Sequence, residues 1–299
     1  MRFGITGNPG KDALWKPLSD LLEVLRSSKY SFVLHPKMTQ GLQHSGMAAA
    51  VEEVAADQSA FIDQADILLS FGGDGTLLNT VAAFGPSGKP ILGVNHGRLG
   101  FLANVEGSEV VHRLQQLDEG DFVVEERMLL EAVHRSESIP PLPRAVNEYT
   151  VRRSGAAGLL SIRVVVDGVH LNTYWSDGLI ISTPTGSTAY SLALGGPIMA
   201  PGCGSILITP IAPHSLTVRP VVLPDTASIE LTVLDSERAH IFTSDGVSSK
   251  GILHDDPVTI RKADQQVRLI RFRDQDYFST LRGKLMWGAG KIQPENGEG

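Results

Sequence analysis

The chain has 299 residues, 42% of them hydrophobic and 20% charged, with a formal net charge of −7. That length allows two domains or one large one. No apolar stretch approaches the ~20 residues of a membrane span, and the acidic balance argues against a nucleic-acid partner, which calls for a basic face. Cys203 is the only cysteine, which leaves no intrachain disulfide and no cysteine-based metal site. The N-terminus looks like a first strand and lacks the apolar core of a signal peptide, so the expectation is a cytoplasmic protein with no membrane partner.

Residues 3–6 read as that first strand, and Leu14, Leu18, Leu22 and Leu25 then share one face of an amphipathic helix. Residues 30–34, 67–71 and 91–94 read as further strands, and 108–117 as a closing helix. Strands spaced by helices imply a parallel sheet covered on both faces, with its ligand site at the carboxyl ends of the strands. There the strand at 67–71 runs straight into Gly72-Gly73-Asp74-Gly75-Thr76, and 76–84 reads as a short helix. The glycines let backbone approach a ligand closely, and the free N–H groups of the helix favour anions. A carboxylate in a turn that held only phosphate would repel it. Asp74 makes sense facing a hydroxyl nucleophile or a metal ion while the glycines face phosphate, which points to phosphoryl transfer onto an alcohol. The plainer alternative makes Asp74 a helix cap. At a solvent-open turn it is expected to matter for chemistry more than for packing. Asn95-His96-Gly97-Arg98-Leu99-Gly100-Phe101 would open onto the same edge.

From about Phe122 short alternating runs appear, joined by turn residues rather than helices. Residues 162–166 and 169–174 flank Asp167-Gly168, a strong hairpin signal. Residues 229–234 and 240–243 flank Asp235-Ser236-Glu237-Arg238 and suggest a hairpin with a longer loop, and 258–261 and 267–272 continue the pattern. Pro140, Pro141 and Pro143 mark a stiff exposed loop. Phe278, Leu281 and Leu285 share a helical face expected to pack back on the first domain. The expected division is an α/β domain over 1–121, an all-β domain over 122–274, a returning segment over 275–290 and a disordered tail over 291–299.

Two further clusters stand out in the second part. Asn147-Glu148 precedes a strand at 149–151, with a simple turn pair as the alternative. Asp177-Gly178 precedes the apolar run Leu179-Ile180-Ile181, which leads into Ser182-Thr183-Pro184-Thr185-Gly186-Ser187-Thr188-Ala189-Tyr190 and on to Pro197. So long a small-polar run has little packing value in a β domain, but it concentrates hydroxyls and free N–H groups.

Together these segments resemble the NAD kinase family. Residues 72–76 match its Gly-Gly-Asp-Gly-Thr signature, 147–148 its Asn-Glu pair, 95–102 its Asn-x-Gly-x-Leu-Gly-Phe-Leu segment, and 177–197 its long Gly- and Thr-rich motif. Pro213-His214-Ser215-Leu216, Arg219-Pro220, Tyr277-Phe278, Leu281-Arg282 and Trp287-Gly288 match further landmarks in the same order. The pentapeptide is shared with phosphofructokinases and diacylglycerol-type lipid kinases, and the 177–197 segment decides among them. The resemblance implies a Rossmann-like parallel α/β domain followed by an all-β domain, with a C-terminal helix returning to the first.

It also implies transfer of the γ-phosphoryl of ATP to the 2′-hydroxyl of the NAD adenosine ribose. Asp74 would be the proton acceptor or orient the hydroxyl, and Gly72, Gly73, Gly75 and Thr76 would lie near the phosphates. Asn147, Glu148, Asp177, Thr188, Ala189, Tyr190, Ser191, Leu192 and Ala193 would form the NAD site. Mg²⁺ would bridge the ATP phosphates, mostly with water in its shell and with no protein ligand assigned. A homodimer or homotetramer is implied as well. Trp175, Ala193 and Val247 depart from the commoner family pattern, replacing a basic residue, a serine and a polar residue. The histidines, including His96 and His214, form no metal-ligand spacing, and a solvated charge is the plainer account of Lys89 and Arg98. The competing functions are a diacylglycerol-type lipid kinase and an inactive dinucleotide-binding sensor.

Overall fold

The computed structural model describes residues 1–97, 100–134, 142–155, 158–234, 240–249 and 257–287. They divide into two units, one of Met1–Thr80, Lys89–Glu125 and the chain from Leu269, the other of Val81–Gly88 and Glu126–Arg268.

In the first unit the strands are β1 (Arg2–Gly7), β2 (Ser31–Leu34), β3 (Ile67–Phe71), β4 (Ile91–Asn95) and β5 (Val105–Glu106). They pair in the order β2-β1-β3-β4, all parallel, with β5 beside β4 and Leu269 of a later strand opposite Ile91. Every residue of β3 and β4 is buried, as an apolar run covered on both faces requires. The predicted leucine face is buried throughout: Leu14 ends a 3₁₀ turn, and Leu18, Leu22 and Leu25 lie on α1 (Trp15–Ser27). They join Phe3, Ile5, Leu69, Phe71 and Val94 in one core.

Two helices had no sequence signal, α2 (Thr39–His44) and α3 (Gln58–Gln64). At six and seven residues they are too short to display a period. The helix after β3, α4 (Asp74–Phe84), begins at Asp74, two residues earlier than expected. The closing helix is α5 (Val110–Glu119), stopped by Gly120 at φ 72°.

The second unit is antiparallel. Its strands are β6 (Val123–His134), β7 (Glu148–Arg153), β8 (Leu160–Val166), β9 (Val169–Ser176), β10 (Gly178–Ser182), β11 (Ser205–Ile211), β12 (Val221–Pro224), β13 (Ile229–Val233), β14 (His240–Ser244), β15 (Val247–Ser249) and β16 (Val258–Arg271). One sheet runs β16-β13-β8-β9, with β6 beside β16, and the other β12-β11-β10-β7-β14-β15. Ile162, Val164, Ile229 and Leu231 of the first sheet meet Tyr149, Leu179, Ile181, Ile208 and Phe242 of the second in a shared core. The Asp167-Gly168 hairpin forms with φ 49° and 81° at its two turn residues, the positive pair such a turn demands. The second expected hairpin does not form. β13 pairs with β16 and β8 while β14 pairs with β7 and β15, so the chain changes sheets between them. The runs at 258–261 and 267–272 are parts of one strand, β16. Because β6 and β16 are long, at 12 and 14 residues, the unit divisions fall within them, at 125/126 and 268/269 rather than 121/122 and 274/275.

The chain from Leu269 belongs to the first unit. Gln275 Nε2 donates to the Asn104 carbonyl at 2.7 Å, and Arg113 on α5 pairs with Asp274 at 2.7 Å. α6 (Tyr190–Ala193) is a single turn, and α7 (Tyr277–Leu285) is capped by Asp276. Of the expected α7 face Leu281 is buried and Leu285 half-buried, but Phe278 is exposed. The loop over 235–239, most of the proline segment and the tail over 291–299 lie outside the described residues. Among the described residues no helix is long and apolar enough to cross a membrane.

Candidate functional site

Within the first unit, β3 delivers the glycine turn onto α4. The Gly72 N–H donates to the Val94 carbonyl at 2.8 Å, and Thr76 and Leu77 donate to the Gly73 carbonyl at 2.9 and 3.1 Å. The buried Ser70 and Thr80 hydroxyls, 2.8 Å apart, tie the strand to the helix behind the turn. Side chains built at Gly73 or Gly75 would meet nothing within 4 Å, so the space over this backbone is open. Packing within the unit does not demand these two glycines. A ligand approaching the N–H groups closely would.

Asp74 does not cap its helix, and it is not an idle carboxylate at an open turn. Its Oδ2 accepts the Phe101 N–H at 2.8 Å, and its Oδ1 accepts those of Leu102 and Ala103 at 3.0 and 2.9 Å. Three consecutive N–H groups therefore converge on one half-buried carboxylate, and Gly100 makes room for it: a Cβ there would come within 1.9 Å of Oδ1. The expectation that Asp74 matters little for packing is corrected on this point, because the 100–103 segment is folded around it. His96 stacks on Phe71 with ring centroids 5.6 Å apart, and burial holds its pKa below the ordinary value. Lys89 donates from Nζ to the Ala65 carbonyl at 2.6 Å, a structural tie rather than a solvated charge. Arg98 and Leu99 lie outside the described residues.

A similar arrangement recurs in the second unit. Asp245 Oδ2 accepts the Val146 N–H at 2.7 Å and Oδ1 accepts those of Asn147 and Glu148, each at 2.9 Å. From the other side, Thr183 donates its N–H to the Asn147 carbonyl at 2.9 Å and its hydroxyl to the Val146 carbonyl at 2.5 Å. Gly186 packs so closely that a Cβ would lie 2.2 Å from the Asn147 oxygen. Asn147-Glu148 is thus a locked segment, not a free turn pair. The Glu148 side chain is 8% exposed, and its Oε2 has no hydrogen-bond partner. Burial first, and the Asp245 charge second, push its pKa up to about 8.

The small-polar run is partly internal. Thr183, Ser187 and Ser191 are buried, with Ser187 donating to the Pro184 carbonyl at 2.6 Å and Ser191 sharing a hydrogen bond with Thr209 at 2.7 Å. The hydroxyl of Ser191, a residue implied to line the NAD site, ties α6 to β11. Thr188, Ala189 and Leu192 are half-buried, and Tyr190 and Ala193 are exposed. Asp177 is ion-paired with Arg153, Nε to Oδ1 at 2.8 Å. The sequence reading left the role of Asp245 open and missed Arg153 and the buried Arg127, whose Nη1 lies 3.5 Å from Thr185 Oγ1. No local motif flags any of them, because their partners lie 24 to 99 residues away.

Models of the ATP-NAD kinase N-terminal and C-terminal domains match residues 3–122 and 146–272. The NAD kinase of Bacteroides fragilis is 43% identical over 225 residues, covering 75% of this chain and 77% of that protein. The NAD kinase of Flavobacterium johnsoniae is 35% identical over 293 residues, covering 97% and 99%. Among solved structures, yeast NADH kinase complexed with NADH aligns with a TM-score of 0.85 at 23% identity, over 100% of this chain and 90% of that one. An Archaeoglobus fulgidus NAD kinase in complex with ATP aligns with a TM-score of 0.74 at 24% identity, over 96% and 99%. At such identities the structural likeness bears on the fold, which it supports in full. The sequence matches establish that the chain belongs to the NAD kinase family.

The raised Glu148 pKa has a sign that can be checked. A glutamate in the unfolded chain titrates near 4.5, so the folded protein holds this proton up to about pH 8. The associated stability is fully present below about pH 4.5 and is lost as pH rises through 8. Melting temperature should fall between about pH 5 and pH 9, and Glu148→Gln should flatten that slope. Equal slopes in both proteins would mean that Glu148 is already ionised in the folded state.

Proposed function

We propose that this member of the NAD kinase family transfers the γ-phosphoryl group of ATP to the 2′-hydroxyl of the NAD adenosine ribose, with Asp74 acting on that hydroxyl. The observation that carries the reading is the Asp74 carboxylate, held by three N–H groups beside open glycine backbone. In the reaction the bond from the γ-phosphorus to the β,γ-bridging oxygen breaks and one to the ribose oxygen forms. ADP leaves, and the hydroxyl proton passes to Asp74 or through it to water. A loose phosphoryl-transfer transition state calls mainly for positioning and charge stabilisation. Three of the ~4 lone-pair directions of the carboxylate are occupied, which favours orientation of the incoming hydroxyl by the remainder.

Gly72, Gly73, Gly75 and Thr76 would face the ATP phosphates. Mg²⁺ fits a role on those phosphates with water completing its shell, since Asp74 has little acceptor capacity left to coordinate it. Bound there, Mg²⁺ would neutralise developing phosphate charge. Asn147, Glu148, Asp177, Thr188, Ala189, Tyr190, Leu192 and Ala193 would contact NAD, and Ser191 would support them from beneath. An amide such as that of Asn147 can pair with the adenine N6/N7 edge. A cytoplasmic location is in keeping with a chain carrying one cysteine. Assembly as a homodimer or homotetramer is supported by Val169, Leu171, Trp175 and Val222, which stand exposed on β9 and β12, the end strands of their sheets.

Three outcomes test this reading. Asn147→Ala should raise KM for NAD about ten-fold and leave KM for ATP nearly unchanged. Equal effects on both would make the segment structural only. Asp74→Asn should lower turnover by about 10²–10⁴, with a much smaller change in calorimetric NAD affinity. It should also cost about 1–3 kcal/mol of stability, because an amide offers one acceptor oxygen to three donors. Near-normal turnover in that variant would remove Asp74 from the chemistry. In sedimentation the protein should run as a stable oligomer at micromolar concentration, and a fully active 32.1 kDa species alone would rule assembly out.

A further inference from the structure

Asp245 belongs to no segment assigned to ATP or NAD. It sits where β14 turns into β15, its own backbone at φ 46° in the left-handed region. Consecutive N–H groups of an extended strand point to opposite sides. Those of Val146, Asn147 and Glu148 converge on one carboxylate, which requires a backbone curl at the entrance to β7. Such a curl concentrates N–H dipoles, and an anion stabilises it. The Asp245 N–H in turn donates to the Glu148 carbonyl at 3.0 Å, so the contact is reciprocal.

We propose that Asp245 is a positioning residue of the kinase reaction: by gathering three consecutive N–H groups it sets the backbone from which the Asn147 amide and the Glu148 carboxyl meet NAD. The inference rests on the reading of Asn147 and Glu148 as NAD contacts. An electrostatic effect accompanies the geometric one. Glu148 lies opposite Ser182 on β10, and β14 brings Ser244 and Asp245 to its other side. Of these, Asp245 carries charge, and it acts on Glu148 as a like charge. Burial first, and that like charge second, favour the neutral form of the Glu148 carboxyl and push its pKa up to about 8. A neutral carboxyl carries an O–H donor; the unpartnered Oε2 is itself fully buried, which favours that neutral form, and an acceptor of the dinucleotide would be met from the small exposed part of the side chain.

The test is steady-state kinetics of the full chain with ATP, Mg²⁺ and NAD from about pH 6 to 9.5, in the wild type, Asp245→Asn and Glu148→Gln. For the wild type, kcat/KM for NAD should fall as pH rises through about 8. Asp245→Asn should raise KM for NAD about ten-fold, with KM for ATP within about two-fold. Its falling limb should move to lower pH, because the like charge is gone. Glu148→Gln should lack the limb. A folded Asp245→Asn with wild-type KM for NAD overturns the proposal, as do KM values for NAD and ATP that rise together, or a limb that stays in place. Should Asp245→Asn fail to fold, hydrogen exchange in the wild type decides: the amides of 146–148 should be protected about 100-fold or more, and free exchange there overturns the proposal. If Asn147→Ala raises KM for NAD and Asp245→Asn does not, this inference alone fails. If neither variant does, the NAD-contact reading beneath it fails too.

Discussion

A carboxylate that accepts three consecutive backbone N–H groups is the interaction on which both candidate segments depend. Backbone N–H groups outside helices and sheets must find partners when water is excluded, and consecutive ones converge only where the chain curls. An ionised acceptor makes each such bond about twice as strong as a neutral one. Asp74 does this for 101–103 in the first unit and Asp245 for 146–148 in the second. Residues 101–103 and 146–147 are irregular, and Glu148 opens β7, so each carboxylate supplies acceptors for N–H groups at least two of which lie outside a sheet. Each carboxylate also approaches a backbone stripped of side chains or locked from behind, at Gly100 in one case and by Thr183 and Gly186 in the other.

The same interaction limits what each carboxyl can do. Asp74 directs most of its acceptor capacity inward, which suits a group that orients a hydroxyl and does not depend on strong basicity. Glu148 has the opposite surroundings. It is buried, unpartnered at Oε2 and placed against a like charge, so its neutral form is favoured. Two carboxyls in one protein are thus fitted to opposite hydrogen-bonding roles by what surrounds them.

Much of the architecture was legible because it rests on local periodicity. The continuous apolar runs at 67–71 and 91–94 are the fully buried β3 and β4, and the Leu14, Leu18, Leu22, Leu25 spacing is the buried face that covers them. Asp167-Gly168 forms its hairpin because both residues tolerate positive φ. What local pattern could not reveal was pairing. β13 and β14 look like the arms of a hairpin, but β13 pairs with β16 and β8 while β14 pairs with β7 and β15, and they belong to different sheets. The direction of each hydroxyl in the small-polar run was hidden for a related reason. Thr183, Ser187 and Ser191 recur every four residues and turn inward, which leaves Thr188, Tyr190 and Ala193 on the outer side. A run rich in hydroxyls does not say which of them are free.

Motif matching finds residues that touch ligands more readily than residues that hold those in place. The donors to Asp74 come 27 to 29 residues later, and those to Asp245 come 97 to 99 residues earlier. No window of sequence contains both partners. The three departures from the family pattern are placed differently. Trp175, Ala193 and Val247 are all exposed, and none takes part in either carboxylate arrangement. Trp175 extends from the end of β9 beside His214, whose N–H donates to its carbonyl at 2.8 Å. Substitutions there change the surface that a ligand edge or a second copy of the chain would meet. They leave untouched the backbone geometry of 101–103, which rests on Asp74, and that of 146–148, which rests on Asp245.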